Sequence, residues 1–214
     1  MSNLKKSLNS LNYQYSEVAE NIFLINNFLK KEEFVAISNV IDASSEEDWN
    51  THYMNGVIGL AERKYGRTDI DNLVKEGLIE ITDHWIDKNL SLPFEISDPI
   101  SRRIKKIFEF TNSLNFDGVG TIQRQYSGAP LIEHVDNHSD PLIEYAVIIY
   151  VNDDYIDGEL FFSKLNFSIK PKKYSMIIFP SGENYLHGVK PPGEGPLRYV
   201  LPSFVKRNEK YETK

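Results

Sequence analysis

The spacing of apolar residues along the chain changes from helical to strand-like near residue 118. In the first part, Phe34, Ile37, Val40 and Ile41 recur on one helical stripe, which predicts a helix from about residue 31 to 41. A second helix is predicted over residues 71–89. A third is predicted to begin at Pro99, because proline is favoured at the first helical position.

After Gly118 the chain consists of short alternating or continuously apolar runs separated by Gly, Pro and Asn-Asp turns. These runs predict strands over 121–126, 131–136, 145–152, 158–163, 174–179 and 197–205. Helices followed by many short strands indicate an α+β chain whose second half is a β-sandwich or barrel.

The same pattern predicts one main domain with two extensions. Residues 1–17 are polar and mixed, so we expect a flexible N-terminal arm. Residues 18–206 form the domain, with its catalytic half at about 118–206, and residues 207–214 form a charged C-terminal tail. The irregular segment Asn50–Ile70 is either a lid that faces the substrate or a variable surface loop, and the sequence leaves both open.

Charge and cysteine content narrow the possible partners. A net charge of −7 over 214 residues makes nucleic acid an unlikely partner, although a local basic patch remains possible. The chain has no cysteine, which excludes disulfides and thiolate metal ligands and is compatible with a cytoplasmic location. We find neither a signal peptide nor an apolar run of membrane-spanning length, so no membrane partner is expected. The oligomeric state stays open.

Three residues with metal-ligating side chains occur in a suggestive arrangement. His134 and Asp136 are two residues apart in a predicted strand, so both side chains can face the same point. His187 follows 51 residues after Asp136, where a turn leads into a further strand. Two imidazoles and one carboxylate with open coordination positions form the facial triad of non-haem Fe(II) oxygenases.

The segment from Tyr126 to Phe204 resembles the catalytic half of the Fe(II)/2-oxoglutarate dioxygenases, in their prolyl 4-hydroxylase branch. The resemblance lies in five motifs in the family's order: His134-Val135-Asp136, Asp157-Gly158-Glu159-Leu160-Phe161-Phe162, Ile178-Phe179-Pro180, His187-Gly188-Val189 and Gly195-Pro196-Leu197-Arg198-Tyr199-Val200. It implies a double-stranded β-helix, a jelly-roll with a cupin-like core, supported by the N-terminal helices.

The resemblance also implies roles for individual residues. His134, Asp136 and His187 would be the iron ligands, and Arg198 would pair with the distal carboxylate of 2-oxoglutarate, assisted by Tyr150.

Other assignments from the resemblance are less direct. Tyr126 would be a second tyrosine of the cosubstrate pocket, and Lys190 is an alternative to Arg198. The apolar wall of the active site would be formed by Ile148, Phe162 and Ile178. Leu131 stands where many prolyl hydroxylases have tyrosine, so the resemblance defines the cosubstrate better than the substrate.

The implied activity is a dioxygenase that uses Fe(II), 2-oxoglutarate and dioxygen to hydroxylate a C–H bond, with release of succinate and CO2. The implied substrate is a prolyl residue of a peptide or protein. The same chemistry on a free amino acid or another small metabolite is the main alternative. A nucleic-acid demethylase is disfavoured by the negative charge. The alternative from another class is a non-catalytic, cupin-like metal-binding module.

Overall fold

The computed structural model describes residues 3–53, 61, 64–67, 69–79, 86–138 and 140–208. Its helices precede most of its strands. They are α1 (Asn3–Ser10), α2 (Lys31–Ala43), α3 (Ile70–Lys75) and α4 (Phe94–Phe108). The strands are β1 (Tyr15–Ala19), β2 (Ile22–Ile25), β3 (Asn50–Tyr53), β4 (Ile86–Ser91), β5 (Leu114–Phe116), β6 (Thr121–Gln125), β7 (Leu131–His134), β8 (Ile143–Tyr150), β9 (Leu160–Phe162), β10 (Phe167–Ile169), β11 (Met176–Pro180), β12 (His187–Val189) and β13 (Arg198–Arg207).

The strands form two sheets. The larger sheet has the order β1-β2-β11-β8-β13-β6-β4-β3, with β5 paired to β13, and the smaller sheet has the order β10-β9-β12-β7. All of their pairings are antiparallel. Strand β8 lies between β11 and β13 in the larger sheet, which explains why its sequence is almost continuously apolar.

The larger sheet has an apolar core on each of its faces. On one face, Ile149 and Leu201 of the sheet pack in a single cluster with Ile37 of α2 and Ile104 of α4. On the other face, residues of β8, β11 and β13 pack against the smaller sheet through Leu160, Phe162 and Val189. Two antiparallel sheets with helices on the outer face form the double-stranded β-helix predicted from the sequence, which is confirmed.

The N-terminal segment differs from the prediction of a flexible arm. Residues 3–10 form helix α1, whose Leu4 and Leu8 are buried in the helix-side core. The Ser7 hydroxyl donates a 2.6 Å hydrogen bond to the Ile107 carbonyl near the end of α4. The sequence signal was weak because only two apolar residues, four apart, define the buried face of this short helix.

Two predicted helices also have different limits. The helix predicted over 71–89 ends at Lys75, and Ile86–Ser91 is instead strand β4, paired with β3 and β6. Helix α4 begins at Phe94, so Pro99 lies inside it rather than at its first position. The lid predicted at Asn50–Ile70 lies largely outside the described residues, which within it comprise only 50–53, 61, 64–67, 69 and 70.

Candidate active site

His134, Asp136 and His187 lie together at one end of the smaller sheet. His134 ends β7 and His187 begins β12, and the two residues are direct partners across these neighbouring strands. Asp136 opens a 3-10 turn immediately after β7, so the turn, rather than a continued strand, aims its carboxylate at the imidazoles. One ligand atom from each residue can be chosen so that all three lie within 4.8 Å of one another.

The Nε2 atoms of both histidines face the carboxylate. Nε2 of His134 is 3.4 Å from Oδ1 of Asp136, and Nε2 of His187 is 3.8 Å from Oδ2. The Nδ1 atoms point away, each to the carbonyl two residues earlier: 2.8 Å to Ile132 and 2.9 Å to Tyr185. A carbonyl only accepts, so each Nδ1 carries a proton and leaves the Nε2 lone pair for a metal, as in metal-ligating histidines generally.

The two imidazoles differ in their proton affinity. Burial lowers the pKa of His187 to about 4, against the opposing effect of the Asp136 carboxylate, so this ring is neutral near pH 7. Burial also disfavours the charged form of His134, but the hydrogen bond and negative charge of Asp136 outweigh it and raise the pKa above its ordinary value. A metal cation at this point would take the place of that proton.

The surroundings of His187 fit a redox metal centre that excludes water. Its ring centroid lies 5.7 Å from that of Phe162 and 4.7 Å from that of Phe179. The next residue, Gly188, allows β12 to pass close to β7, because a Cβ there would lie 2.6 Å from the Leu131 carbonyl oxygen. Two imidazoles whose Nε2 atoms face one carboxylate, beside an apolar wall, are a donor set that fits Fe(II).

A second polar cluster lies on the larger sheet, centred on the buried Arg198. Its guanidinium donates to the Tyr150 hydroxyl over 3.2 Å and to Oε1 of Gln125 over 3.2 Å. Arg198 is the direct partner of Gln125 between β13 and β6, and Tyr150 ends β8 beside them. The Gln125 amide is itself held, since its Nε2 donates to the Ala129 carbonyl.

The Arg198 cluster has no counterion among the described residues. Arg198 is 3% exposed, yet both of its hydrogen-bond partners are neutral, and no described carboxylate pairs with it. Its Nε also has no partner among the described residues. A buried charge without a partner costs several kcal/mol, roughly, so a guanidinium with no counterion among the described residues is a candidate site for an anion. A carboxylate fits the planar guanidinium.

Tyr126 and Lys190, the other cosubstrate candidates from the sequence, contact residues other than Arg198. Tyr126 is half-buried and contacts a different arginine, with its ring centroid 5.2 Å from Cζ of Arg124. Lys190 is exposed and lies 3.8 Å from the Glu159 carboxylate. Of the predicted wall residues, Ile148 and Phe162 border the core between the sheets, whereas Ile178 faces the helices. Phe179, its neighbour on β11, takes the inner position because successive side chains alternate.

The sequence prediction missed two residues near Arg198. Gln125 could have been found only from the register between β6 and β13, which no local pattern reveals. Tyr155 lies in the loop between β8 and β9, with its ring centroid 5.8 Å from Cζ of Arg198 and its side chain fully buried. The turn Asn152-Asp153-Asp154 before it suggested only a loop.

Comparisons with known proteins agree with this geometry. The sequence model of the 2OG-Fe(II) oxygenase superfamily matches residues 121–206. A segment is 40% identical to human prolyl 3-hydroxylase 2 over 57 residues, covering 24% of this chain. The chain spans only 8% of the length of that human protein.

Two solved structures share the fold over most of the chain. A Trichoplax adhaerens prolyl hydroxylase, solved in complex with a hypoxia inducible factor peptide fragment, has a TM-score of 0.61 at 16% identity, over 99% of this chain and 94% of that one. A collagen prolyl hydroxylase of Paramecium Bursaria Chlorella virus-1, in its 2OG complex, has a TM-score of 0.52 at 16% identity, over 88% and 97%.

Residues 121–206 thus match the 2OG-Fe(II) oxygenase superfamily, and the chain shares its fold with solved prolyl hydroxylases. Fe(II) and 2-oxoglutarate are the groups for which the superfamily is named, and the two polar clusters described above suit them chemically. Within the part of the chain that the structure describes, none of the helices has the length and apolar composition of a membrane span.

Proposed function

We propose that the protein is an Fe(II)- and 2-oxoglutarate-dependent dioxygenase that hydroxylates a prolyl residue of a peptide or protein. The observation that carries this proposal is that a candidate metal site and a candidate anion site both border the apolar core between the two sheets. The His-Asp-His cluster on the smaller sheet provides ligands for a metal, and Arg198 on the larger sheet provides a buried charge for an anion. Both border the apolar core between the sheets, through Phe162 and Phe179 on one side and Tyr150 on the other.

We assign the roles from this geometry. His134, Asp136 and His187 would hold Fe(II), each imidazole through its Nε2, while the backbone carbonyls at Nδ1 fix the ring orientation. Arg198 and Tyr150 would hold the distal carboxylate of 2-oxoglutarate, and Gln125 would orient the guanidinium. Arg198, rather than Lys190, suits this role because it is buried and has no counterion among the described residues, whereas Lys190 is exposed beside Glu159.

When bound, Fe(II) would supply the activation of dioxygen that the side chains cannot provide. In the overall reaction one oxygen atom enters the substrate C–H bond as hydroxyl. The other enters the succinate formed as 2-oxoglutarate loses CO2, so no further reductant is needed. This chain would hold both ends of the cosubstrate and keep water out with Phe162 and Phe179.

Two comparisons support a peptide as the substrate. The Trichoplax adhaerens relative was solved with a peptide fragment, and the human relative is named as a prolyl hydroxylase. Leu131 is part of β7, three residues before His134, and stands where many prolyl hydroxylases have tyrosine, so the preferred peptide sequence should differ from theirs. The cytoplasmic location and a main domain over 18–206 stay predictions, the latter extended by α1.

The decisive experiment measures succinate formed from 2-oxoglutarate with Fe(II), using proline-containing peptides and free amino acids as separate substrate pools. We expect peptide-dependent succinate with an equal amount of hydroxylated peptide. The His134→Ala variant should lose this turnover, whereas His138→Ala should keep it, because His138 is exposed and hydrogen-bonded to Glu183. Turnover only with free amino acids would replace the peptide substrate, and no 2-oxoglutarate consumption would favour the non-catalytic metal-binding module.

A further inference from the structure

Tyr155 is held rigidly beside Arg198, although it lies in a loop. Its side chain is 1% exposed. The Lys170 ammonium lies 4.5 Å from its ring centroid and also donates to its backbone carbonyl. A Cβ at Gly158, whose φ is +67°, would lie 3.1 Å from the Tyr155 ring, so only glycine lets the chain turn this closely around it. Such packing leaves the Tyr155 hydroxyl little freedom to find another partner.

Two buried hydrogen-bond donors in this pocket have no acceptor among the described residues. The Tyr155 hydroxyl and the Arg198 Nε are both buried, and neither has a hydrogen-bond partner among the described residues. Buried polar groups are nearly always hydrogen-bonded, and a pair of unsatisfied donors around one cation calls for an explanation. The Tyr150 hydroxyl, which accepts from Arg198, also keeps its own proton for donation. A carboxylate accepts several hydrogen bonds and could satisfy all three donors.

We propose that Tyr155 is a cosubstrate-binding residue, which donates its hydroxyl to the distal carboxylate of the 2-oxo acid and so selects a dicarboxylate over a 2-oxo acid with an uncharged end. This inference rests on the proposed function. Arg198 and Tyr155 approach the carboxylate as a charged and a neutral donor, and the rings of Tyr150 and Tyr155 flank the guanidinium, with centroids 5.2 and 5.8 Å from its Cζ.

The protonation state of Tyr155 suits a donor. Burial raises the pKa of Tyr155 to about 12, although the nearby Arg198 charge opposes this rise. The hydroxyl therefore keeps its proton near pH 7, where both carboxylates of a 2-oxo dicarboxylic acid are ionised.

The test compares wild type with Tyr155→Phe, which removes only the hydroxyl. Both are loaded with Mn(II), and binding of 2-oxoglutarate and of 2-oxopentanoate, which has a methyl group in place of the distal carboxylate, is measured by calorimetry. We expect the affinity of Tyr155→Phe for 2-oxoglutarate to fall about 10- to 100-fold, the range for a hydrogen bond to a charged group. Binding of 2-oxopentanoate should change less than about twofold, as should both affinities in the control variant Tyr145→Phe, whose ring packs on the helix side near Phe108.

Each result decides the matter. Unchanged 2-oxoglutarate affinity in Tyr155→Phe would overturn the inference, and equal losses for both acids would assign Tyr155 to packing alone. The unfolding temperature without ligand should not fall in Tyr155→Phe, because no described residue accepts a hydrogen bond from the hydroxyl that it removes. Failure of the wild-type protein itself to bind 2-oxoglutarate would overturn the proposed function, and with it this inference. If the wild-type protein binds 2-oxoglutarate and Tyr155→Phe binds it equally well, only the role of Tyr155 would be overturned.

Discussion

Replacing Arg198 with methionine should separate ligand binding from stability more clearly than any other single change. Most buried arginines stabilise the fold through a carboxylate partner, and removing one leaves a buried charge that costs about 3–5 kcal/mol. Arg198 has only neutral partners among the described residues, so its removal strands no charge. We therefore expect Arg198→Met to abolish cosubstrate binding while leaving the unliganded fold nearly as stable as wild type.

The magnitudes follow from the contacts. Arg198→Met loses two hydrogen bonds of the charged type, about 1.5–3 kcal/mol each, and leaves the Gln125 oxygen without its donor. Against this, the variant no longer buries an uncompensated guanidinium, which costs several kcal/mol, roughly. These terms nearly cancel, so the free energy of unfolding should change by less than about 2 kcal/mol. Losing the guanidinium should lower the affinity for 2-oxoglutarate about 100-fold, since truncating one partner of a buried charge pair costs about 2–5 kcal/mol, which corresponds to about 30- to 5,000-fold.

The assay is thermal unfolding of the Mn(II)-loaded protein with and without 2-oxoglutarate. At 100 times its dissociation constant, a ligand stabilises the folded state by about 2.7 kcal/mol, which raises the unfolding temperature of a protein this size by about 5–10 °C. A 100-fold weaker affinity at the same concentration leaves about 0.4 kcal/mol, a shift of about 1–2 °C. An undiminished shift in Arg198→Met would refute the assignment and return the role to Lys190.

The matched control is Arg103→Met, because this arginine does have a carboxylate partner. The Arg103 guanidinium on α4 donates to both Glu33 carboxylate oxygens on α2 and to the Phe28 carbonyl. The variant should be clearly less stable than wild type but keep the full shift with 2-oxoglutarate. Stability losses of equal size in the two variants would contradict the contrast between an unpaired and a paired arginine.

Three further predictions concern the Glu33–Arg103 ion pair and the metal cluster. Burial raises the pKa of Glu33, but the hydrogen bonds and charge of Arg103 outweigh burial and lower the pKa below its ordinary value of 4.5. The ion pair therefore contributes its full share to the free energy of unfolding above about pH 4.5. This contribution is lost as the pH falls through the lowered pKa of Glu33. Urea unfolding should therefore show a larger loss for Arg103→Met at pH 7 than at pH 3, and equal losses would contradict this. Gly188→Ala should lower the free energy of unfolding by about 1–3 kcal/mol and weaken Mn(II) binding, because the added Cβ would overlap the β7 backbone. The control variant Gly120→Ala should do neither, because a Cβ there has no atom within 4 Å. His187→Ala should lower Mn(II) affinity in calorimetry by more than about 100-fold, beyond the effect of losing a residue that merely orients a ligand, and retained affinity would exclude it as a ligand.

The sequence predicted the features that depend on local spacing. His134 and Asp136 are two residues apart, and the apolar run of β8 is typical of a strand covered on both faces, so both signals could be interpreted without knowing the fold. The prediction that His134 and Asp136 lie in one strand was wrong for Asp136, because the strand ends at His134 and a 3-10 turn positions Asp136. A turn and a strand can present side chains two residues apart in the same direction.

The features that the sequence did not reveal depend on contacts between distant segments. Helix α1 has too few apolar residues to indicate burial, and its position is defined by α4, about 100 residues later. Residues 86–89 fall within the predicted helix because the apolar residues up to Ile86 have helical spacing, yet β4 is fixed by its pairing with β6. Gln125 and Tyr155 join Arg198 only through register and loop packing, which leave no periodic pattern.

The division of the site between two sheets explains why neither cluster is complete alone. The two histidines of the proposed metal cluster belong to β7 and β12 of the smaller sheet, whereas Arg198 and its partners belong to β13, β8 and β6 of the larger one. A 2-oxo dicarboxylate held at the metal by one end and at Arg198 by the other would cross the apolar core that joins the sheets. Each cluster leaves a charge or a coordination position unsatisfied, and one molecule of that length would satisfy both. The fold thus gives up stability at two points, a cost that ligand binding would offset.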